Sequence, residues 1–304
     1  MVDMSVKIGN VIFKNPVLTA SGTFGYGDEV CDLVDVNLLG GIITKSITYN
    51  PRKGNPPPRI VETTAGMLNS IGLANIGVKR FLDEKIRLYK SFDTRVIVSV
   101  AGETIKEYCK VVECIEKEDN IDGYEINISC PNTDRGGIYF GIDKKMSRNL
   151  VMELRKLTAR LLIVKLTPNV TSTSEIAEAV EDAGADCVSL VNSFIGMAVD
   201  VKTRKPKIKK IIGGLTGPCI KPLALAKVYE VCSKVKIPVI GIGGIVTGDD
   251  ALEFLIAGAS AVEVGTASFF NPNAPIKIVE EIKSLLEENN IKKVSEIVGS
   301  IIAS

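Results

Sequence analysis

The chain has 304 residues, 45% of them hydrophobic, and its 37 basic against 36 acidic side chains leave a formal charge of +1. That length fits one or two domains around a large buried core, and the charge balance gives no electrostatic reason to expect nucleic acid or an anionic membrane as partner. No charged-then-apolar leader opens the sequence and no apolar run is long enough to span a bilayer, so a soluble, cytoplasmic protein is expected.

Short β-branched runs alternate with amphipathic stretches along the whole chain. A strand over 16–21 is followed by a predicted helix over 28–36. The strand over 41–45 leads into a long excursion, 47–72, rich in Pro and Gly, before a helix over 76–89. Strands over 95–100 and 122–129 precede helices over 104–118 and 147–160. The strand over 161–166 precedes a helix over 174–183. After the strand over 186–191 comes a second excursion, 193–219, which carries the basic cluster from Lys202 to Lys210 and then Gly213 and Gly214. A solvated loop explains that cluster more simply than a polyanion site. The series ends with a helix over 220–235, a strand over 238–243, a helix over 248–257, a strand over 261–265 and a helix over 275–287.

Apolar runs such as Val96-Ile97-Val98 suit strands buried on both faces, whereas Ile105, Tyr108, Val111, Val112 and Ile115 form a helical stripe. Eight successive strand–helix units predict a single (β/α)8 barrel domain over residues 1–304, with a doubly wound open sheet as the alternative. Both excursions follow predicted strands, so both should overhang the C-terminal mouth, where such barrels keep their chemistry.

Polar side chains collect at the predicted strand ends: Ser21, Lys45 with Ser46, Asn127, Lys165 and Asn192. Glycines close the last two strands, in Gly241-Ile242-Gly243-Gly244 and Glu263-Val264-Gly265-Thr266. Loops at those two positions commonly grip a phosphate through backbone amides. Residue 246 is valine, so the G-x-G-x-x-G spacing of a dinucleotide fold is not met. A lysine at the end of an apolar strand needs a partner, because burying an ammonium is costly. Lys45 and Lys165 can each be read as a rim salt bridge or as a cation facing a ligand. Beside asparagines and a phosphate grip, the pair favours a bound planar anion or flavin.

The run Asn127-Ile128-Ser129-Cys130-Pro131-Asn132 puts a thiol after a strand, with polar, glycine-rich residues 133–141 predicted as a mobile loop. The chain has no histidine, so proton transfer near neutral pH needs another group. A thiol, with an unperturbed pKa of about 8.5, is the nearest substitute. The other reading of Cys130 is a buried structural cysteine. Seven widely scattered cysteines suit reduced thiols, and no C-x-x-C pair occurs, so no metal site is expected from this chain alone.

At these residues the chain resembles the dihydroorotate dehydrogenase family, and within it the class 1B catalytic subunits. The resemblance runs from NPVLTASGTFG at 15–25 through KSIT at 45–48, NSIGLAN at 69–75, NISCPN at 127–132, VKLTPN at 164–169 and IGIGGI at 240–245 to EVGTA at 263–267. The continuation TDRGGIYFG after Asn132 resembles class 1B rather than 1A, and class 2 enzymes use serine as the base. The resemblance implies one FMN per chain, surrounded by Ser21, Lys45, Ser46, Asn127, Lys165, Val191, Gly217, Gly243, Gly244, Gly265 and Thr266. It implies a substrate set of Lys45, Asn69, Ser70, Ile71, Gly72, Leu73, Asn127, Asn132, Asn192 and Ser193. Ser99 departs from the family, which has asparagine there, and that contact with the flavin stays open.

The implied reaction oxidises (S)-dihydroorotate to orotate in pyrimidine synthesis, with Cys130 as general base and hydride passing to FMN. Electrons would then reach NAD through a partner subunit carrying FAD and a [2Fe–2S] cluster, in a heterotetramer of two catalytic and two electron-transfer chains. The alternatives are a class 1A-type homodimer using fumarate, a flavin barrel reducing uridine in tRNA, and a non-redox phosphate-binding barrel.

Overall fold

The structure is a computed structural model that describes residues 2–129 and 140–302. Cys130, Asn132 and most of the loop expected over 133–141 lie outside the described residues. Among those described, eight strands close into a parallel barrel: β1 (Val17–Thr19), β2 (Gly41–Ile43), β3 (Arg95–Val100), β4 (Gly123–Asn127), β5 (Leu161–Lys165), β6 (Cys187–Leu190), β7 (Val239–Ile242) and β8 (Ala261–Val264). Each pairs in parallel with the next, and β8 returns to β1 with Glu263 beside Leu18. Closure excludes the open-sheet alternative, and all eight strands fall within their predicted spans.

The helices pack outside, and all but the four-residue Ala267–Phe270, whose two phenylalanines are exposed, turn apolar side chains to the barrel core. They are α1 (Gly77–Glu84), α2 (Ile105–Ile115), α3 (Lys144–Arg155), α4 (Thr173–Asp182), α5 (Lys221–Cys232), α6 (Gly248–Ile256), α7 (Ala267–Phe270) and α8 (Ala274–Glu288). On α2 the buried residues are Tyr108, Val111, Val112 and Ile115, and Ile105, the fifth residue of the stripe read from the sequence, is partly buried against the same core. Several starts are set by side-chain caps: Thr104 accepts from Glu107 N, Asp143 from Met146 N and Ser172 from Glu175 N. Thr247 and Asp250 form a reciprocal capping box. Each such cap satisfies amides that the helix itself leaves without partners.

Two expectations need correction. Residues 28–36 are not a helix; the chain makes turns there and then a short 3₁₀ segment, Val36–Leu38, capped by Asp35. Gly25 and Gly27, at φ of 56° and 101°, bend the approach, and the segment is rich in Asp and valine, which are weak helix formers. It is anchored instead by Phe24, Val34 and Val36 packing against Ile42. The helix expected over 76–89 ends at Glu84 and passes into a 3₁₀ stretch, Ile86–Ser91. Ile86 and Tyr89 turn inward there at a spacing of three, the period of that tighter helix.

The two excursions do overhang the barrel mouth, and they are more ordered than loops. Strands Ile60–Thr63 and Gly66–Asn69 from the first join Phe194–Gly196 and Gly213–Thr216 from the second in one four-stranded antiparallel sheet. The basic residues extend beyond it on a small hairpin, Val199–Asp200 with Lys205–Pro206. Lys202, Arg204, Lys205, Lys207 and Lys209 are exposed there. No helix of the described residues is long and apolar enough to cross a membrane.

Barrel closure leaves little room between β4 and β5. A Cβ on Gly123 would stand 2.4 Å from the Leu161 carbonyl oxygen, and Leu161 is its partner in the ladder. Gly123→Ala should therefore force the two strands apart and lower stability by about 1–3 kcal/mol, read as a reduced urea midpoint of unfolding.

Candidate active site

The C-terminal strand ends converge on a cavity of about 400 Å³. Ser21 follows β1, Lys45 and Ser46 follow β2, and Asn127 and Lys165 close β4 and β5. Val191, Asn192 and Ser193 follow β6, Gly243 and Gly244 follow β7, and Gly265 and Thr266 follow β8. The excursion sheet adds Ile60, Met67, Asn69 and Thr216, and the turn after it adds Gly217. Every residue expected around the cofactor thus lines one cavity.

Of the expected substrate set, Lys45, Asn69, Ile71, Gly72, Leu73, Asn127, Asn192 and Ser193 line it as well. Ser70 does not. It is fully buried on the other side of the chain from its neighbours, with its amide donating to Arg59 O at 2.7 Å and its carbonyl accepting from Asn55. Cys130 and Asn132 lie outside the described residues.

Hydroxyls and amides orient one another along the wall. Asn127 Nδ2 donates to Ser46 Oγ at 3.1 Å, and its Oδ1 accepts from Ser129 N and Oγ at 3.2 and 3.0 Å. Asn192 Nδ2 donates to the same Ser129 Oγ at 2.7 Å. Ser21 Oγ donates to Thr44 O at 2.8 Å. Ser99 is buried behind this wall, 2.9 Å from Ser46 Oγ, and is not part of the cavity lining. It therefore reaches the cavity only through Ser46.

At the β7–β8 end the backbone itself lines the cavity. Gly217, Gly243 and Gly244 have φ of 96°, 132° and 74°, values that side-chain-bearing residues rarely adopt. A Cβ on Gly244 would meet Lys221 Cβ at 2.8 Å. The amides of Gly243, Gly244, Gly265 and Thr266 have no acceptor among the described residues. Such a cluster of free N–H groups suits a phosphate. Lys221 is engaged elsewhere, 2.7 Å from Asp250 and 2.8 Å from Glu253, and these bonds raise its pKa.

The two lysines have opposite surroundings. Lys45 is half-buried and its ammonium has no partner among the described residues; burial lowers its pKa, with Glu29 only partly opposing. Lys165 is buried, and its ammonium lies 2.8 Å from Glu263 Oε2 and 3.4 Å from Glu125 Oε2. Burial disfavours its charge, but the two glutamates outweigh that and hold its pKa above the usual lysine value. The rim salt bridge considered for both lysines is thus found at Lys165 alone. Glu125 and Glu263 were not singled out from the sequence, nor were the apolar wall residues Ile60, Met67, Ile220 and Ile245. No group of three or more acidic or cysteine side chains among the described residues is arranged to hold a metal ion.

Comparison with known proteins identifies relatives of the chain. The family model for dihydroorotate dehydrogenase matches residues 3–286. The chain is 50% identical over 299 residues to the "Dihydroorotate dehydrogenase B (NAD(+)), catalytic subunit" of Thermoanaerobacter pseudethanolicus, covering 98% of this chain and 99% of that one. It is also 50% identical over 300 residues to the protein of the same name in Geotalea uraniireducens, covering 99% and 98%. Among solved structures it is similar in fold to a DHODH from Eimeria tenella crystallised with ferulenol, with a TM-score of 0.83 at 22% identity, covering 98% of this chain and 88% of that one.

The buried acid Glu263 gives the site a pH signature. Burial, together with the nearby charge of Glu125, raises its pKa well above 4.5, with Lys165 opposing in part. A carboxyl whose folded pKa exceeds its unfolded value contributes stability that is full below about pH 4.5 and is lost as pH rises through the folded pKa. Glu263→Gln removes that dependence. The variant's stability relative to the native chain should therefore increase from acid to neutral pH in urea unfolding series.

Proposed function

The chain belongs to the dihydroorotate dehydrogenase family, and from that premise we propose that it is the catalytic subunit of an NAD-linked enzyme that oxidises (S)-dihydroorotate to orotate in pyrimidine synthesis. The observation carrying this reading is the convergence, in one cavity, of Lys45, the Asn127 and Asn192 amides, and a cluster of backbone N–H groups, the ammonium and those N–H groups having no partner among the described residues. That donor set fits FMN: free amides for its phosphate, cations for its electron-accepting ring and an apolar wall for its faces. The whole chain, 1–304, is read as one FMN-binding barrel.

We assign the cofactor to Ser21, Lys45, Ser46, Asn127, Lys165, Val191, Gly217, Gly243, Gly244, Gly265 and Thr266. The pyrimidine falls to Lys45, the stretch from Asn69 to Leu73, Asn127, Asn132, Asn192 and Ser193. Amide side chains suit a ligand whose imide edge and carboxylate offer both donors and acceptors. The inward orientation of Asn69, Ile71, Gly72 and Leu73 supports their part more strongly than the buried position of Ser70 supports its own.

When bound, FMN supplies the two-electron acceptor for hydride leaving C6 of the substrate. The protein's own task is the proton at C5, which we assign to Cys130. The thiolate accepts that proton while Lys45 and the asparagines hold the ring and its carboxylate. Asn127 is already fixed for this by Ser46 and Ser129, and preset polar groups lose less entropy on binding. Cys130 must shed its proton before each turnover, so the rate should climb with pH towards the thiol pKa.

Electrons leave through a second chain, which we read as an electron-transfer subunit with FAD and a [2Fe–2S] cluster in a two-plus-two assembly. The words "catalytic subunit" in the relatives' names support a partner of some kind. A cytoplasmic location belongs to the same reading.

Anaerobic mixing of the yellow protein with dihydroorotate should bleach the flavin, and a colourless preparation would overturn the assignment. Cys130→Ala should retain FMN yet slow that bleaching by roughly 10²–10⁴, measured by stopped-flow absorbance. Undiminished bleaching would remove the thiol from the reaction.

A further inference from the structure

Lys165 is the outer member of a buried charge cluster. Its side chain is 6% exposed, while those of Glu125 and Glu263, with which it pairs, are fully buried. Lys165 lines the cavity and the two glutamates do not. The barrel interior therefore holds two carboxyl groups against one ammonium. Burying an unmatched carboxylate is costly enough that such a group keeps its proton instead.

The hydrogen bonds identify which carboxyl keeps it. Glu125 accepts from Ser189 Oγ at 3.0 Å and from Ser99 Oγ at 3.5 Å, in addition to the lysine. Both of its oxygens are thereby engaged. Glu263 receives Lys165 on Oε2 alone, and its buried Oε1 has no partner among the described residues. Among the described residues, the other titratable group facing the cluster, the Cys187 thiol on β6, is held neutral by burial and by the nearby acids.

We propose that Glu263, carrying its proton, and ionised Glu125 form a positioning pair that holds the Lys165 ammonium at the cavity wall as one charge-neutral unit. The burial that raises the Glu263 pKa agrees with this. With both acids ionised the cluster would be net negative and would oppose the charge that FMN gains on reduction. With one proton retained, that added charge meets a cation already aimed and held. The inference rests on the flavin reading above and goes beyond it, because neither glutamate touches the cavity.

The test compares reduction potentials of the FMN-loaded chain for the native protein, Glu263→Gln and Glu263→Met at neutral pH. The glutamine amide reproduces a neutral acid, with an oxygen for Lys165 and a donor beside it; methionine removes the acceptor at 2.8 Å. The glutamine variant should stay within about twofold of the native reduced-to-oxidised equilibrium, and the methionine variant should move it about tenfold or more, about 30 mV for a two-electron couple. A methionine variant with native potential, or a glutamine variant displaced as far as methionine, overturns the proposal.

A second measurement requires neither variant to fold. The infrared spectrum of the native chain should contain the carbonyl band of a buried, protonated carboxyl that moves in D₂O, and absence of that band also overturns the proposal. The band is read with or without flavin. A colourless protein that shows it would sink the cofactor assignment and leave the protonated Glu263 standing.

Discussion

An ammonium held inside a closed barrel is the constraint from which the rest of this site follows. Strand β5 ends on Lys165, and β4 and β8 place Glu125 and Glu263 against it. These strands are not sequence neighbours of β8, and only closure brings all three to one axis. Removing one member of a buried ion pair leaves an uncompensated charge, at a cost of roughly 3–5 kcal/mol. The barrel meets that demand with short hydroxyl side chains, Ser99 from β3 and Ser189 from β6, that solvate Glu125 without filling the cavity. A larger residue at position 99 would have to displace the Ser46 and Glu125 contacts now made there. That gives Ser99 a local role whatever stands at this position in other members of the family.

The excursion sheet answers a different need. A bare barrel mouth is an open bowl, which buries only one side of a planar ligand. Insertions after β2 and β6 are far apart in sequence, yet they pair edge to edge, with Leu68 opposite Leu215 and Asn69 opposite Gly214. Pairing converts two Pro- and Gly-rich stretches into a wall that carries Ile60, Met67, Asn69 and Thr216 to the cavity. Gly66 and Gly213 allow the close approach, since a Cβ on Gly66 would stand 2.2 Å from Thr216 O and one on Gly213 2.5 Å from Asn69 O. The wall is thus made from backbone complementarity as much as from apolar contact.

Most of this was legible in the sequence because the barrel obeys local rules. Strands buried on both faces read as unbroken apolar runs, and strand-end polar residues stand out against them. That is why Lys45, Asn127, Lys165 and the β7–β8 glycines could be picked out before any fold was known. Glu125 and Glu263 escaped for the converse reason. Each lies within a strand, as in Tyr124-Glu125-Ile126 and Val262-Glu263-Val264, where alternation ordinarily marks a solvent-facing side chain. In a closed barrel the second face looks to the axis, so the same alternation marks a buried acid. The turns over 28–36 escape a reading by periodicity because amphipathic spacing survives in a segment whose aspartates and valines, following Gly25 and Gly27, do not sustain a helix. The antiparallel sheet was not legible as one sheet because the pairing that joins its two halves, Asn69 with Gly214, links strands from separate excursions.

The two lysines show what distinguishes a structural cation from a responsive one. Both lie at strand ends and both line the cavity, yet their pKa values move in opposite directions. Lys165 has its charge fixed by two acids, and its hydrogen bonds are committed to the barrel. Lys45 is desolvated by burial, and only the charge of Glu29 partly opposes that, while Arg59 adds to it. An anion entering the cavity would therefore gain more from Lys45, whose ammonium is poorly matched beforehand, than from Lys165, whose field is already largely cancelled. Binding strength and ligand choice should concentrate on Lys45. Lys165 contributes instead a cation of constant charge and fixed direction, which serves a reaction in which negative charge appears and departs with every turnover.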